Sequence, residues 1–351
     1  VTLSGELVLY EGGDNRLAVD AAKENVLATR ASLLDVEQRV LLSAVQAYMD
    51  VRSAIQSVLL SESNVRLISQ ELQATRDRFE VGEVTRTDVS IAEAALAAAR
   101  SGLVANKGQL NVARESYRQV TGRYPGNLAA NVRLPKLPSS LQEARSIAQR
   151  THPSIIGAQH GVKAAELNVL RARAAKRPTI TAGVSLSRDD DSNDTSSLNL
   201  QLTQPIYSGG ALDALERRAI NQKEATRAGL LNTVSLIEQQ VGNAWSNLAV
   251  SRAQITASQE QIRAAQLAFE GTQEEAKLGA RTTLDVLDAE QDLLDARAAR
   301  IRAEADQYVA IFSVLSSAGL LTAENLNLGV PTYDPSAYYN AVKSAPIRSF
   351  Q

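Results

Sequence analysis

The chain has 351 residues, of which 44% are hydrophobic, 22% are charged and only 4% are aromatic. A net charge of −2 without a concentrated basic face argues against a nucleic-acid-binding protein. The lack of cysteine excludes a disulfide framework and thiolate metal sites, and no apolar run approaches the roughly 18 residues of a transmembrane helix.

The first predicted elements are a short strand, a very long helix and a return helix. Residues 1–9 alternate apolar and polar side chains, as in a strand with one apolar face. From Gly13 to Gly82 the chain contains no proline, and apolar residues recur at helical spacing. At about 1.5 Å per residue this helix is on the order of 100 Å long, so we expect it to pack sideways in a coiled coil. The return helix is predicted over residues 86–120.

The middle of the chain is broken by proline. Residues 124–138 hold three prolines and interrupt the helical pattern. A short helix is predicted over residues 141–150, and His152 with Pro153 ends it. A further helix is predicted over residues 154–176.

Two more strands follow, and their pattern is typical of membrane strands. Residues 179–187 and 197–207 alternate apolar and polar side chains, and the strongly polar residues 188–196 between them predict a hairpin loop. Strands near ten residues with one apolar face fit a transmembrane barrel. An amphipathic strand on a soluble core is the alternative. Three strands cannot close a barrel and lipid does not tolerate open edges, so we expect the chain to oligomerise.

The second half of the chain repeats the first. Tyr207 lies 197 residues after Tyr10, and this shift holds without a gap to Gly122. Identical residues that it aligns include Gly82 with Gly279, Asp88 with Asp285, Glu93 with Glu290, Arg100 with Arg297, and Gly122 with Gly319. The repeat predicts a second long helix up to Gly279 and a second return helix over residues 283–317. The first repeat has no counterpart of the strand at 179–187, so we expect a preceding helix and strand outside this sequence.

The duplication predicts four segments. Residues 1–122 form the first repeat, with a strand, a long helix and a return helix. Residues 123–152 separate the repeats, and residues 153–319 form the second repeat, with a helix, a strand pair, a long helix and a return helix. Residues 320–351 are expected to be an irregular tail.

The turns between long and return helices carry the polar residues of interest. Gly82 and Gly279 suit the left-handed conformation that ends a helix. The candidate N-caps of the return helices are Thr85, Thr87, Thr282 and Thr283. Asp88 and Asp285 then lie in the first helical turns, where a capping role could be their only one. Asp288 shares a helix face with Asp285, although it could simply be a solvated surface residue.

The chain resembles the TolC family of outer-membrane efflux and type I secretion proteins. The resemblance covers nearly the whole sequence and depends on three motifs. They are Leu202-Thr203-Gln204-Pro205-Ile206-Tyr207-Ser208-Gly209-Gly210, Arg78-Phe79-Glu80-Val81-Gly82 with Thr87-Asp88-Val89, and residues 278–289 with sequence LGARTTLDVLDA. It implies a mainly α fold, with an antiparallel coiled-coil helical barrel in the periplasm and a transmembrane β-barrel in the outer membrane, both closed by trimerisation. Residues 123–152 and 320–351 would lie at an equatorial belt.

The resemblance also implies the roles of the tip residues. Asp285 and Asp288 match aspartates that ring the periplasmic entrance, where multivalent cations would block the channel. Arg281, Asp88 and Thr87 match a gate lock, a set of residues that holds the entrance closed across neighbouring coils. Arg281 could equally be an ordinary exposed residue. The family has a tyrosine where this chain has Ala276, so one bond of the lock is missing.

The resemblance finally implies partners. A periplasmic adaptor would dock on the tips at Val81, Gly82, Leu278 and Gly279, and an inner-membrane ABC or proton-driven pump would supply energy. The chain would then be a passive outer-membrane exit duct for drugs or secreted polypeptides, surrounded by lipid, with no catalysis, cofactor or native metal. The alternative is a soluble coiled-coil scaffold. His152 and His160 have no nearby ligand set in the sequence, so we expect a helix-boundary and a surface role.

Overall fold

The computed structural model describes residues 2–129, 134–188, 194–331 and 334–343. Most of these residues are helical, and one small sheet accompanies the helices. The elements in chain order are β1 (Thr2–Glu11), α1 (Asp14–Glu80), α2 (Arg86–Thr121), α3 (Leu141–Thr151), α4 (Pro153–Ala174), β2 (Thr179–Arg188), β3 (Asp194–Thr203), α5 (Ala211–Lys277), α6 (Thr283–Ser317) and α7 (Pro335–Val342).

The duplication is visible in the bounds of the helices. α1 and α5 both have 67 residues, and each starts just after a Gly-Gly pair. α2 and α6 have 36 and 35 residues and start at equivalent positions. Both long helices and both return helices were therefore predicted correctly from the spacing of apolar residues and the glycines between them.

Two predictions about irregular and extended segments were wrong. β3 was expected over residues 197–207, but it runs from Asp194 to Thr203. Arg188 and Asp194–Ser196, which were expected in the hairpin loop, therefore belong to the strands. Pro205 cannot donate to a ladder, and the Gln204 side chain instead donates to the Lys176 carbonyl over 3.1 Å. The tail was expected to be irregular, yet it contains α7, whose N-cap Asp334 accepts a hydrogen bond from Ser336 N. Residues 189–193 of the predicted hairpin loop lie outside the described residues.

The chain forms two compact units, and each unit takes part of both repeats. The first unit comprises Val1–Val36, Ile147–Gln239 and Pro331–Gln351. The second unit comprises Glu37–Ser146 and Gln240–Val330. The first unit contains the sheet, whereas the second contains both turns between long and return helices.

The sheet of the first unit has three antiparallel strands in the order β1-β2-β3. Its register places Leu7 opposite Ala182, and Ala182 opposite Leu200. Because opposite residues share a face, the apolar side chains of the three strands gather on one side. The whole of β3 is exposed, and Leu198 is 83% exposed. An irregularity between Val8 and Tyr10 shifts the register, so that Tyr10 and not Leu9 lies opposite Ile180.

The second unit is held by apolar clusters spread along its helices. One contains Val51, Ala54, Val58, Leu110 and Ala113. Another contains Ile68, Leu72, Ala92, Leu96 and Leu287, which joins α1, α2 and α6. A third contains Phe269, Ala276, Val286 and Leu293 of α5 and α6. The alanines let the helices approach closely, which explains how a chain with few aromatic residues fills its interior.

In the part of the chain that the structure describes, every helix is too short or too polar to cross a membrane.

Candidate functional site

The candidate site lies in the second unit, where each long helix turns into its return helix. Gly82 has φ +83° and Gly279 has φ +78°, the left-handed conformation that glycine adopts without strain. Glu83 N donates to the Arg78 carbonyl over 2.9 Å, and Ala280 N donates to the Glu275 carbonyl over 2.9 Å. The two turns thus end α1 and α5 in the same way, as the sequence predicted.

A reciprocal pair of hydrogen bonds starts each return helix. Thr85 N donates to Asp88 Oδ2 over 2.8 Å, and Asp88 N donates to Thr85 Oγ1 over 3.3 Å. Thr282 and Asp285 form the same capping box, with distances of 2.8 Å and 3.2 Å. The predicted capping role of both aspartates is therefore confirmed.

Only two of the four candidate N-caps cap a helix. Thr85 and Thr282 do so. Thr87 lies exposed inside the first turn of α2, and Thr283 is the first residue of α6 and is buried. Thr87 and Thr283 were therefore wrong as N-caps, because their backbones are already helical and an N-cap needs an extended conformation.

The capping hydrogen bonds also favour the ionised form of both aspartates. Hydrogen bonds from Thr85 hold the pKa of Asp88 below its ordinary value. Hydrogen bonds from Thr282 do the same for the pKa of Asp285, and Arg281 lowers it further. A carboxylate that accepts such bonds stays ionised at neutral pH. Asp288 follows on the exposed side of α6, while Val286 and Leu287 are buried.

Arg281 and Asp88 have separate partners within one chain. Arg281 Nε donates to Glu275 Oε2 over 2.9 Å, and this bond raises the pKa of the guanidinium. Asp88 accepts from Thr85. The lock inferred from the resemblance joins neighbouring coils and stays a prediction. Ala276, at the position where the family has a tyrosine, is buried in the cluster around Phe269.

The extreme ends of both turns present apolar side chains to solvent. Val81 is 71% exposed and Leu278 is 86% exposed. A Cβ added at Gly82 or Gly279 would have nothing within 4 Å. Another backbone can therefore approach these turns without displacing any atom of the same chain.

Glu290 is a residue of this region that sequence reasoning missed. It lies two residues after Asp288 on the opposite side of α6, and it is only 4% exposed. Burial, with a smaller contribution from Glu71, raises its pKa to about 7. The repeat contains a signal for this difference. Glu93, the equivalent of Glu290, pairs with Arg76, whereas the position equivalent to Arg76 holds the neutral Gln273.

The two histidines lie away from the turns, in the first unit. His152 caps α4, since its Nδ1 accepts from Ser154 N over 3.2 Å, which confirms the expected helix-boundary role. His160 was expected on the surface, but it is half-buried and its Nδ1 lies 2.7 Å from Glu24 Oε2. Among the described residues, no group of histidine, cysteine, aspartate and glutamate could hold a metal ion.

Comparison with known proteins gives one consistent result. The family described as "outer membrane efflux protein" matches residues 1–123 and 144–319. Outer membrane efflux protein BepC of Brucella suis is 37% identical over 343 residues, which cover 96% of this chain and 75% of BepC. Outer membrane protein TolC of Escherichia coli is 25% identical over 312 residues, which cover 83% of this chain. The chain spans only 63% of the length of that TolC.

Solved structures give the same fold. The crystal structure of CusC matches with a TM-score of 0.81, covers 91% of this chain and 77% of CusC, and is 22% identical. The predicted fold class, a mainly helical TolC-like protein with membrane strands, is thereby confirmed. Because the family consists of outer-membrane channel proteins, the soluble-scaffold alternative is set aside. The chain belongs to the outer membrane efflux protein family, of which TolC is a member, and is therefore a protein of the bacterial outer membrane and not an enzyme.

Proposed function

We propose that three copies of this chain form a passive exit duct, which conducts drugs or secreted polypeptides across the outer membrane. The sheet is the observation that carries this proposal. Its apolar side chains share one uncovered face, and its order leaves β1 and β3 with an open edge each. Lipid can cover the apolar face. A strand of the same protein outside this sequence could pair with one edge at most, so closing the barrel in a membrane needs strands of further copies.

In this proposal the energy comes from elsewhere. A periplasmic adaptor docks on the exposed tips at Val81, Gly82, Leu278 and Gly279, and it joins the duct to an inner-membrane ABC or proton-driven pump. Two observations support the docking site. The apolar side chains of the tips are largely exposed, and the glycines leave room for a close backbone approach.

The entrance of the duct is assigned to Asp285 and Asp288. Both carboxylates lie on the non-buried side of α6, next to the turn. Rings of carboxylates contributed by several chains attract cations and bind multivalent ions far better than single carboxylates do. The duct is therefore expected to prefer cations, and trivalent cations on the periplasmic side are expected to block it.

The assembly is tested by native mass spectrometry of the detergent-purified protein. A trimer is expected. A stable monomer or dimer of the complete protein would overturn the proposal, because the sheet edges would then need another partner.

The entrance is tested by conductance in planar bilayers with a trivalent cation such as hexamminecobalt. Asp285→Asn with Asp288→Asn should weaken the block at least tenfold and reduce cation selectivity. Asparagine keeps an oxygen that can accept the capping bond from Thr282, so the start of α6 is preserved. The matched control is Asp77→Asn, which removes an exposed carboxylate near the end of α1. An undiminished block in the double variant, or an equal loss in the control, would contradict the assignment.

A further inference from the structure

Glu290 is a buried acid in the contact between α1 and α6. It lines a small cavity of about 10 Å³ together with Leu60, Ser63, Asn64, Leu67, Leu293, Leu294 and Arg297. Such a cavity holds at most one water molecule. Among the described residues, Glu290 Oε1 has no hydrogen-bond partner. A buried carboxylate oxygen without a partner strongly disfavours the ionised form.

Among the described residues, no charged group forms a salt bridge with Glu290. On α1, Glu71 is an acid whose charge opposes ionisation of Glu290. On α6 itself, Arg297 lines the same cavity, but its Nη2 donates to Gln266 of α5 over 2.7 Å. On α2, Glu93 is already paired with Arg76 of α1. The charge that acts on the pKa of Glu290 is therefore a like charge, that of Glu71.

The first repeat shows what the second repeat has lost. Glu93 is the equivalent of Glu290, and it is exposed and bonded to Arg76 Nη2 over 2.5 Å. The position equivalent to Arg76 is Gln273, whose amide carries no charge. Among the described residues, the same glutamate thus forms a solvated ion pair in one repeat and is buried without a salt bridge in the other. The pKa of Glu290, raised to about 7, agrees with this environment.

We propose that Glu290 makes the packing of α6 on α1 depend on protonation. The protonated acid stays in the contact, whereas the ionised acid is repelled by Glu71 and weakens the contact. α6 also carries Asp285 and Asp288 in its first turns. If the proposed function holds, deprotonation of Glu290 therefore loosens the helix that lines the entrance, and the duct opens more readily as the surrounding pH rises.

The experiment measures hydrogen–deuterium exchange of the assembled protein at pH 6 and pH 8, expressed as protection factors so that intrinsic exchange rates cancel. In the unmodified protein, the amides of the first turns of α6 should lose about tenfold in protection between these pH values. Glu290→Gln, which mimics the protonated acid, should abolish the loss. Glu71→Gln, which removes the facing charge, should reduce it. Glu93→Gln is the matched control and should behave like the unmodified protein.

Two outcomes would overturn the proposal. In the first, the unmodified protein, Glu290→Gln and Glu71→Gln all lose the same protection between pH 6 and pH 8. The other is an effect of Glu93→Gln as large as that of Glu290→Gln. Conductance of the same proteins at both pH values tests the link to the entrance separately. If exchange depends on Glu290 but conductance does not, proton linkage holds and its proposed effect on the duct is wrong. A lack of any conductance would instead contradict the proposed function.

Discussion

Thr85 and Asp88 hydrogen-bond each other in both directions at the start of α2, and the threonine hydroxyl also donates to Asp88 Oδ2 over 2.7 Å. Asp88 therefore has a structural role inside its own chain, whatever it contacts in an assembly. Any experiment on Asp88 as a member of the gate lock must separate these two roles.

The gate-lock prediction can be tested with two substitutions at Asp88. Asp88→Asn keeps an oxygen for the capping bond but loses the charge, whereas Asp88→Ala loses both. Both variants should raise single-channel conductance as Arg281→Ser does, because each removes the ion pair across neighbouring coils. Only Asp88→Ala should also lower the free energy of unfolding, by about 1 kcal/mol. The double variant of Arg281→Ser and Asp88→Asn should raise conductance little beyond either single variant.

Glu275 supplies the control for the lock. It is the intrachain partner of Arg281, and Glu275→Gln removes that pair without touching Asp88. If Glu275→Gln opens the channel as far as Arg281→Ser while Asp88→Asn leaves it closed, the lock lies within one chain. The prediction would then be wrong.

Adaptor docking is best tested at the exposed side chains of the tips. Any residue other than glycine at 82 or 279 is strained by the positive φ, so a loss of export in bulky variants would have two explanations. Val81→Arg with Leu278→Arg leaves the backbone unchanged and should abolish export, while trimers remain in the outer membrane. Val81→Ser with Leu278→Ser should retain more export, because serine does not bring a buried charge into the contact. Normal export in the arginine variant would exclude docking at these tips.

Gly12 should tolerate substitution much less than its repeat equivalent Gly209. Both have positive φ, +64° and +59°, so alanine costs about 1–2 kcal/mol at either position. A Cβ at Gly12 would also lie 2.7 Å from the Ala174 carbonyl oxygen and 2.8 Å from Arg177 Cβ, whereas Gly209 has open space. Gly12→Ala should therefore lower Tm further than Gly209→Ala. Equal shifts in Tm would show that the turn relaxes freely.

His152 should make the protein less stable in acid. Burial lowers its pKa in the folded protein, although Asp35 opposes part of this effect. The folded state then binds fewer protons than the unfolded state, so the contribution is fully present above the unfolded pKa of about 6.5 and is lost as pH falls below it. His152→Asn keeps an N-cap acceptor but does not titrate. Tm measured from pH 7.5 to pH 5 should fall less in this variant, and an identical fall would contradict the assignment.

Local chemistry explains why so much of this fold could be predicted. The ends of the long helices depend on Gly82 and Gly279, and the starts of the return helices depend on Thr85 and Thr282, each within a few residues of the chain. The end of β3 was missed although its cause is also local, because Pro205 stands directly after the strand. The alternation of apolar and polar residues continues to Tyr207, but the proline ends the strand before that point.

The sequence by itself determined the repeat, the helices, the amphipathic strands and the family, because each depends on periodicity or on a short motif. Only the tertiary structure decided which of two equivalent glutamates is buried. Glu93 and Glu290 share a sequence context, but Glu93 meets Arg76 in solvent, whereas Glu290 packs into the cavity between α1 and α6 near Glu71. Burial and charge at such a position are set by helices distant along the chain, and no local pattern records which side chains those helices bring together.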